Sequence, residues 1–154
     1  LEGFIHGGFM RDILFRGKPT KEVLEDESLC KTLPIKQGFV YGNLIYNDKQ
    51  PYIVGPIADA NDEYCSMEWW CPVVPETVGQ YSDKKDKNGR LVFEGDILQW
   101  DNEIDEQDRT KLIFVVKFDG EYEGFFGEGA FDNIEPWQFE SHRVIGNIHD
   151  NPEL

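Results

Sequence analysis

Carboxylates standing close together are the first candidates for chemistry, because hydrolysis needs one group to activate water and another to stabilise developing charge. Glu94, Asp96 and Asp101 come nearest to that pattern. Their spacing is generic and no nucleophile stands nearby. An Asp after Gly at a strand entry more often accepts hydrogen bonds from neighbouring backbone and fixes a turn, which is the role expected of Asp96. His142 and His149 lie seven residues apart, and on an extended strand an odd separation puts them on opposite faces, which disfavours a shared metal. The three cysteines, Cys30, Cys65 and Cys71, are an odd number at spacings that match no zinc or disulfide framework. The closest pair, Cys65 and Cys71, has no neighbouring histidine to complete a tetrahedral set. Reduced structural thiols are expected, with no metal and no cofactor. No Ser, Cys or Lys falls in a nucleophile motif, and the glycine-rich stretch Gly120 to Gly129 lacks the lysine and helix start of a phosphate-binding loop. Its glycines are expected to mark bends. No catalytic residue is assigned, and an enzyme is not expected.

Charge offers two binding candidates. Lys84, Lys85, Lys87 and Arg90 form the basic cluster, flanked by Tyr81 and Phe93, a combination that can hold single-stranded nucleic acid. Asp83 and Asp86 dilute it, so a solvated turn is the better expectation. The net charge of −15 is uneven: residues 1–93 carry 14 acids and 11 bases, residues 94–154 carry 16 acids and 4 bases. A negative field repels phosphate backbones and disfavours nucleic acid, while favouring solubility or a basic partner. The acidic stretch Asp59 to Glu63, and a second one holding Glu103, Asp105, Glu106 and Asp108, could form an acidic partner surface or imitate a phosphate backbone. Most acidic faces are simply solvated.

The elements that must carry these groups read as strands. At 154 residues, 40% hydrophobic and 14% aromatic, the chain has core material for a globular fold. No uninterrupted apolar stretch approaches the roughly 18 residues of a membrane span, so a cytoplasmic protein with no membrane partner is expected. Met10 looks like a natural start, making residues 1–9 an added or upstream extension. Arg11 to Arg16 reads as a strand ending at Gly17-Lys-Pro19. Thr20 to Leu33 reads as a short helix capped by Thr20, with Val23, Leu24 and Leu29 as its apolar side. Gly38 to Tyr46 and Pro51 to Ile57 form a hairpin around Asn47-Asp48-Lys49-Gln50. Ala58 to Glu68 reads as an irregular acidic loop, Trp69 and Trp70 as the close of a core, and Pro72 and Pro75 as obstacles to pairing. After the turn at Asp86-Lys-Asn88-Gly89 come strands at Leu91 to Phe93, Ile97 to Trp100, Leu112 to Phe118, the last central and apolar on both sides, and His142 to Ile148.

Three stretches together resemble the YopX family: Ile13-Leu-Phe-Arg-Gly17; Val74-Pro-Glu-Thr-Val-Gly-Gln-Tyr81 running on to Asp86-Lys-Asn-Gly89 and Glu94-Gly-Asp-Ile97; and Val144-Ile-Gly-Asn-Ile148 with Asn151-Pro-Glu-Leu154. The resemblance covers nearly all of residues 10–154, in the expected order. It departs at residues 18–36, an insertion before Gly38-Phe-Val-Tyr-Gly42, and at Ser82-Asp83-Lys84, where the family has a Thr-Gly-Leu type of turn. Members are small phage and prophage proteins, and the resemblance implies no reaction, cofactor or catalytic position.

The fold expected is mainly β, or β-rich α+β: an antiparallel meander over residues 10–73 and a small SH3-like β-barrel over residues 74–154, with at most one or two short helices. The expected core holds Phe93, Ile97, Trp100, Phe114, Val116, Phe118, Trp137 and Ile145. The function expected is a non-enzymatic protein-interaction module of phage origin, acting in the bacterial host on a host or phage protein, with homo-oligomerisation possible. The alternative is a nucleic-acid-associated barrel or an acidic DNA mimic.

Overall fold

A computed structural model describes residues 11–100, 112–121 and 123–154. The chain divides into two compact units, Leu1–Gln80 and Tyr81–Leu154, each largely antiparallel β.

In the first unit, strand β1 (Phe15–Gly17) leads into two short helices, α1 (Lys21–Glu25) and α2 (Glu27–Thr32). The single helix expected breaks at Asp26, which leaves helical geometry and turns its carboxylate onto the backbone N–H groups of Ser28 and Leu29. That contact caps the new helix. Strands β2 (Val40–Asn47) and β3 (Gln50–Val54) form the expected hairpin, turning at Asp48, whose φ of 52° is left-handed. The meander continues through β4 (Ile57–Ala60), β5 (Cys65–Met67) and β6 (Trp70–Pro72) to β7 (Gly79–Lys85), whose Gly79 and Gln80 return to pair with β1. The alternation of β-structure sends Val40, Ile53 and Cys71 inward with Val73, and Val23 of α1 joins them. The segment read as an insertion thus contributes to the core. Two expectations are corrected here. Residues 58–68 are not an irregular loop but contain β4 and β5, and Pro72 does pair, as the last residue of β6 opposite Tyr52. A proline is tolerated there because β6 is an edge strand.

In the second unit, β8 (Leu91–Phe93) pairs with the remainder of β7. A five-stranded sheet follows in the order β12 (Asn133–Ile134), β11 (Gly124–Gly129), β10 (Ile113–Asp119), β9 (Asp96–Trp100), β13 (His142–Asn147). As expected, β10 is central. The barrel is not closed: among the described residues β12 and β13 end the sheet without pairing with each other. Closure requires strand length and stagger to match around the ring, and β12 has only two residues. The core is completed instead by Phe139 from the 3-10 segment Pro136–Ser141, packed with Val92, Leu98, Phe114, Val116, Phe125 and Ile134. Of the expected core, Phe93, Ile97, Phe114 and Val116 are buried, while Trp100 and Ile145 are half-buried. Phe118 and Trp137 are corrections, being 54% and 67% exposed. Phe118 lies one residue from the end of β10, where it meets Phe125 edge-on and the sheet has run out of cover. Gly120 falls in the turn after β10, as expected, but Gly127 and Gly129 of β11 are not bends. A Cβ on Gly127 or Gly129 would overlap Ile134 or Phe114, so these glycines let core side chains lie against the strand.

Candidate functional site

Of the carboxylates considered for chemistry, Asp96 is occupied by the backbone. Asp96, 1% exposed, accepts from the N–H of Phe93 at 2.8 Å and closes the β8–β9 turn, in which Gly95 takes a φ of 91°. That left-handed value suits glycine. Glu94 is half-buried, and Asp101 lies outside the described residues. Asp86 is also buried: its Oδ1 accepts from Asn88 and Arg90 N–H, and its Oδ2 from Val144 N–H at 2.9 Å. It ties the turn to β13, and turns inward rather than into the basic cluster.

The basic residues Lys84, Lys85, Lys87 and Arg90 are all exposed around that turn. Their aromatic neighbours Tyr81 and Phe93 are buried, with ring centroids 5.6 Å apart, and so present no open stacking surface. The acidic surface of Glu103, Asp105, Glu106 and Asp108 lies outside the described residues.

His142 and His149 are separated more than alternation required. His142 is buried in β13, edge-on to Trp100 and Phe114, with Nδ1 2.8 Å from the Gln138 carbonyl oxygen. Its Nε2 is buried without a partner among the described residues. Burial holds its pKa below the usual histidine range, only partly offset by the Gln138 contact. His149 lies past the strand, in a turn organised by Asn147. The cysteines are free thiols: Cys65 exposed, Cys30 half-buried, and Cys71 buried, its thiol pushed up to about 11 chiefly by desolvation. Among the described residues, no group of three or more His, Cys, Asp or Glu side chains is placed to hold a metal ion, and no helix is long and apolar enough to cross a membrane.

What the sequence reading missed is an open sheet face in the first unit. Strands β3 and β6 pair as far as Val54 opposite Trp70, and the ladder continues through Gly55 N–H to Trp69 C=O and Glu68 N–H to Pro56 C=O. It then passes into β4 and β5, so residues 50–72 are one long hairpin. Gly55 is needed in it because a Cβ there would overlap the Trp69 indole. Alternation sends Trp69 toward the core and Trp70 away from it. On that outer face Trp70, 62% exposed, meets Tyr52 at a centroid distance of 5.9 Å, and Ile45, opposite Tyr52 in the ladder, is 46% exposed. The arm beyond carries exposed Ile57 and Tyr64. A two-stranded ribbon is marginal in water by itself, and this one is held at its tip by Asn61, whose carboxamide oxygen accepts from Glu63 and Tyr64 N–H. The Tyr64 hydroxyl donates to the Asp59 carboxylate, a bond that also raises the tyrosine pKa. Both tryptophans were expected to close a core; Trp69 does pack against it, and Trp70 is a correction, turned to the outer face by the alternation of the strand.

A family model described as YopX protein matches residues 35–154. The crystal structure of protein EF1440 from Enterococcus faecalis is similar, with a TM-score of 0.59 and 22% identity over 92% of this chain and 96% of that one. At that identity the likeness shows the fold alone. No curated protein matches the chain at a significant level.

Proposed function

The chain belongs to the YopX family, and from that premise we propose that it is a non-enzymatic protein-interaction module encoded by a phage or prophage and acting in the cytoplasm of the bacterial host. The observation that carries the reading is the asymmetry of the first unit's sheet. One face is covered by Val23, Leu33 and Ile35, whereas the other leaves Ile45, Tyr52 and Trp70 toward solvent. Contiguous apolar side chains on an ordered face favour association, because covering them releases their hydration. Tryptophan and tyrosine are also the residues that most often carry interface energy. The nucleic-acid alternative, with Lys84, Lys85, Lys87 and Arg90 as contacts, is weaker, since Tyr81 and Phe93 beside them are buried.

The test compares the protein with its Ile45→Ala/Trp70→Ala variant in pull-downs from host lysate with and without nuclease treatment and in light scattering. Both side chains are largely exposed, so the variant should fold. A specific protein, or a second copy of the chain, held by the parent and lost by the variant supports the reading. Equal capture by both, or recovery that vanishes with nuclease, overturns it.

A further inference from the structure

We infer that the outer face of the long hairpin receives an arginine-bearing, otherwise apolar segment of the protein partner, an inference that rests on the interaction reading and names its chemistry. The occupant follows from the charge around the face. Within the first unit, residues 50–80 contain five acids, Asp59, Asp62, Glu63, Glu68 and Glu76, and no Lys, Arg or His, while Lys49 stands exposed in the β2–β3 turn at the end of β3 away from the arm. Three of them, Asp59, Asp62 and Glu63, stand exposed on the arm that prolongs the ladder, and Glu68, also exposed, lies two positions before Trp70. An apolar face set in a negative field selects a partner that brings cations with its apolar groups, and repels an acidic one.

Arginine fits better than lysine. The guanidinium is planar, weakly hydrated and able to stack on an aromatic face while hydrogen-bonding a carboxylate, whereas an ammonium is a strongly hydrated point charge. The Tyr52–Trp70 pair supplies the aromatic surface and the arm the carboxylates. Ile45, opposite Tyr52, supplies apolar contact beside it. The arm is held in shape before any partner arrives, by the Asn61 turn and the Tyr64 to Asp59 hydrogen bond. Less ordering entropy is then lost on binding.

The test is fluorescence anisotropy with a fluorescein-labelled peptide of alternating arginine and isoleucine, set against versions with lysine or glutamate in place of arginine, at low and raised salt. The arginine peptide should bind best and the glutamate peptide not at all. Trp70→Ala should weaken binding by about tenfold or more, as loss of a central aromatic anchor does. Asp62→Asn/Glu63→Gln/Glu68→Gln should weaken binding and flatten its salt dependence. Affinity unchanged by Trp70→Ala, or equal for arginine and lysine, overturns the inference. So does Trp70-dependent binding of an oligothymidylate, which would make the face a base-stacking platform. If a cellular partner is lost by Ile45→Ala/Trp70→Ala while the arginine peptide fails to bind, the interaction reading stands and this inference falls. If capture is indifferent to both residues, the interaction reading itself falls.

Discussion

Replacing Asp86 by alanine removes one acceptor from three backbone N–H groups at once, those of Asn88, Arg90 and Val144. Asp86 is 5% exposed, so water replaces the carboxylate poorly. A hydrogen bond to a charged group contributes about 1.5–3 kcal/mol net. The three share one carboxylate and are not additive, and Asn88 and Arg90 lie in an exposed turn where water can reach their amides. A loss of about 3–4 kcal/mol is therefore expected, in the range reserved for broken buried networks. Asp86→Asn should cost less, about 2 kcal/mol, because an amide oxygen can still serve the turn while its NH2 faces the Val144 N–H. Urea unfolding followed by circular dichroism gives the totals, and hydrogen exchange at the Val144 amide localises the effect. A change below about 1 kcal/mol for the alanine variant, or unaltered Val144 exchange, would refute the view that this carboxylate fastens the turn to β13.

Three further outcomes follow from the same geometry. His142 is neutral in the fold with a depressed pKa, so the unfolded chain takes up its proton first and this contribution to stability is lost as pH falls below the usual histidine value. The slope is at most about 1.4 kcal/mol per pH unit for one proton, and urea titrations between neutral and mildly acidic pH should show a shallower fall in His142→Phe. Gly55→Ala should destabilise by about 1–3 kcal/mol through overlap with the Trp69 indole, measured as a lower urea midpoint; an unchanged midpoint would show that the indole moves aside freely. A thiol reagent should label exposed Cys65 in the native protein and reach Cys71, buried and with a thiol near 11, only on unfolding. Mass spectrometry distinguishes the sites, and comparable native rates would contradict the burial of Cys71.

The sequence by itself determined the β-rich class, the hairpin at residues 47–50, the central place of the strand around Phe114 and Val116, the turn role of Asp96 and the family. These were legible because each depends on local pattern: alternation, turn chemistry, or a run of β-branched and aromatic residues. What only the tertiary structure decided depends on direction and on distant partners. Val144 is far from Asp86 in the chain, so nothing near Asp86 announced that it would accept from that amide. Phe118 and Trp137 are apolar enough for a core but stand exposed, Phe118 near the end of β10 and Trp137 in the 3-10 segment. Among the described residues the sheet does not close, and β12 pairs with β11 over only two positions, which no local pattern announced. Trp69 and Trp70 are chemically identical neighbours, and alternation requires only that they face opposite ways. Which one packs inward is fixed by the register of β6 on β3, where Val54 stands opposite Trp70 and the Trp69 indole lies over Gly55.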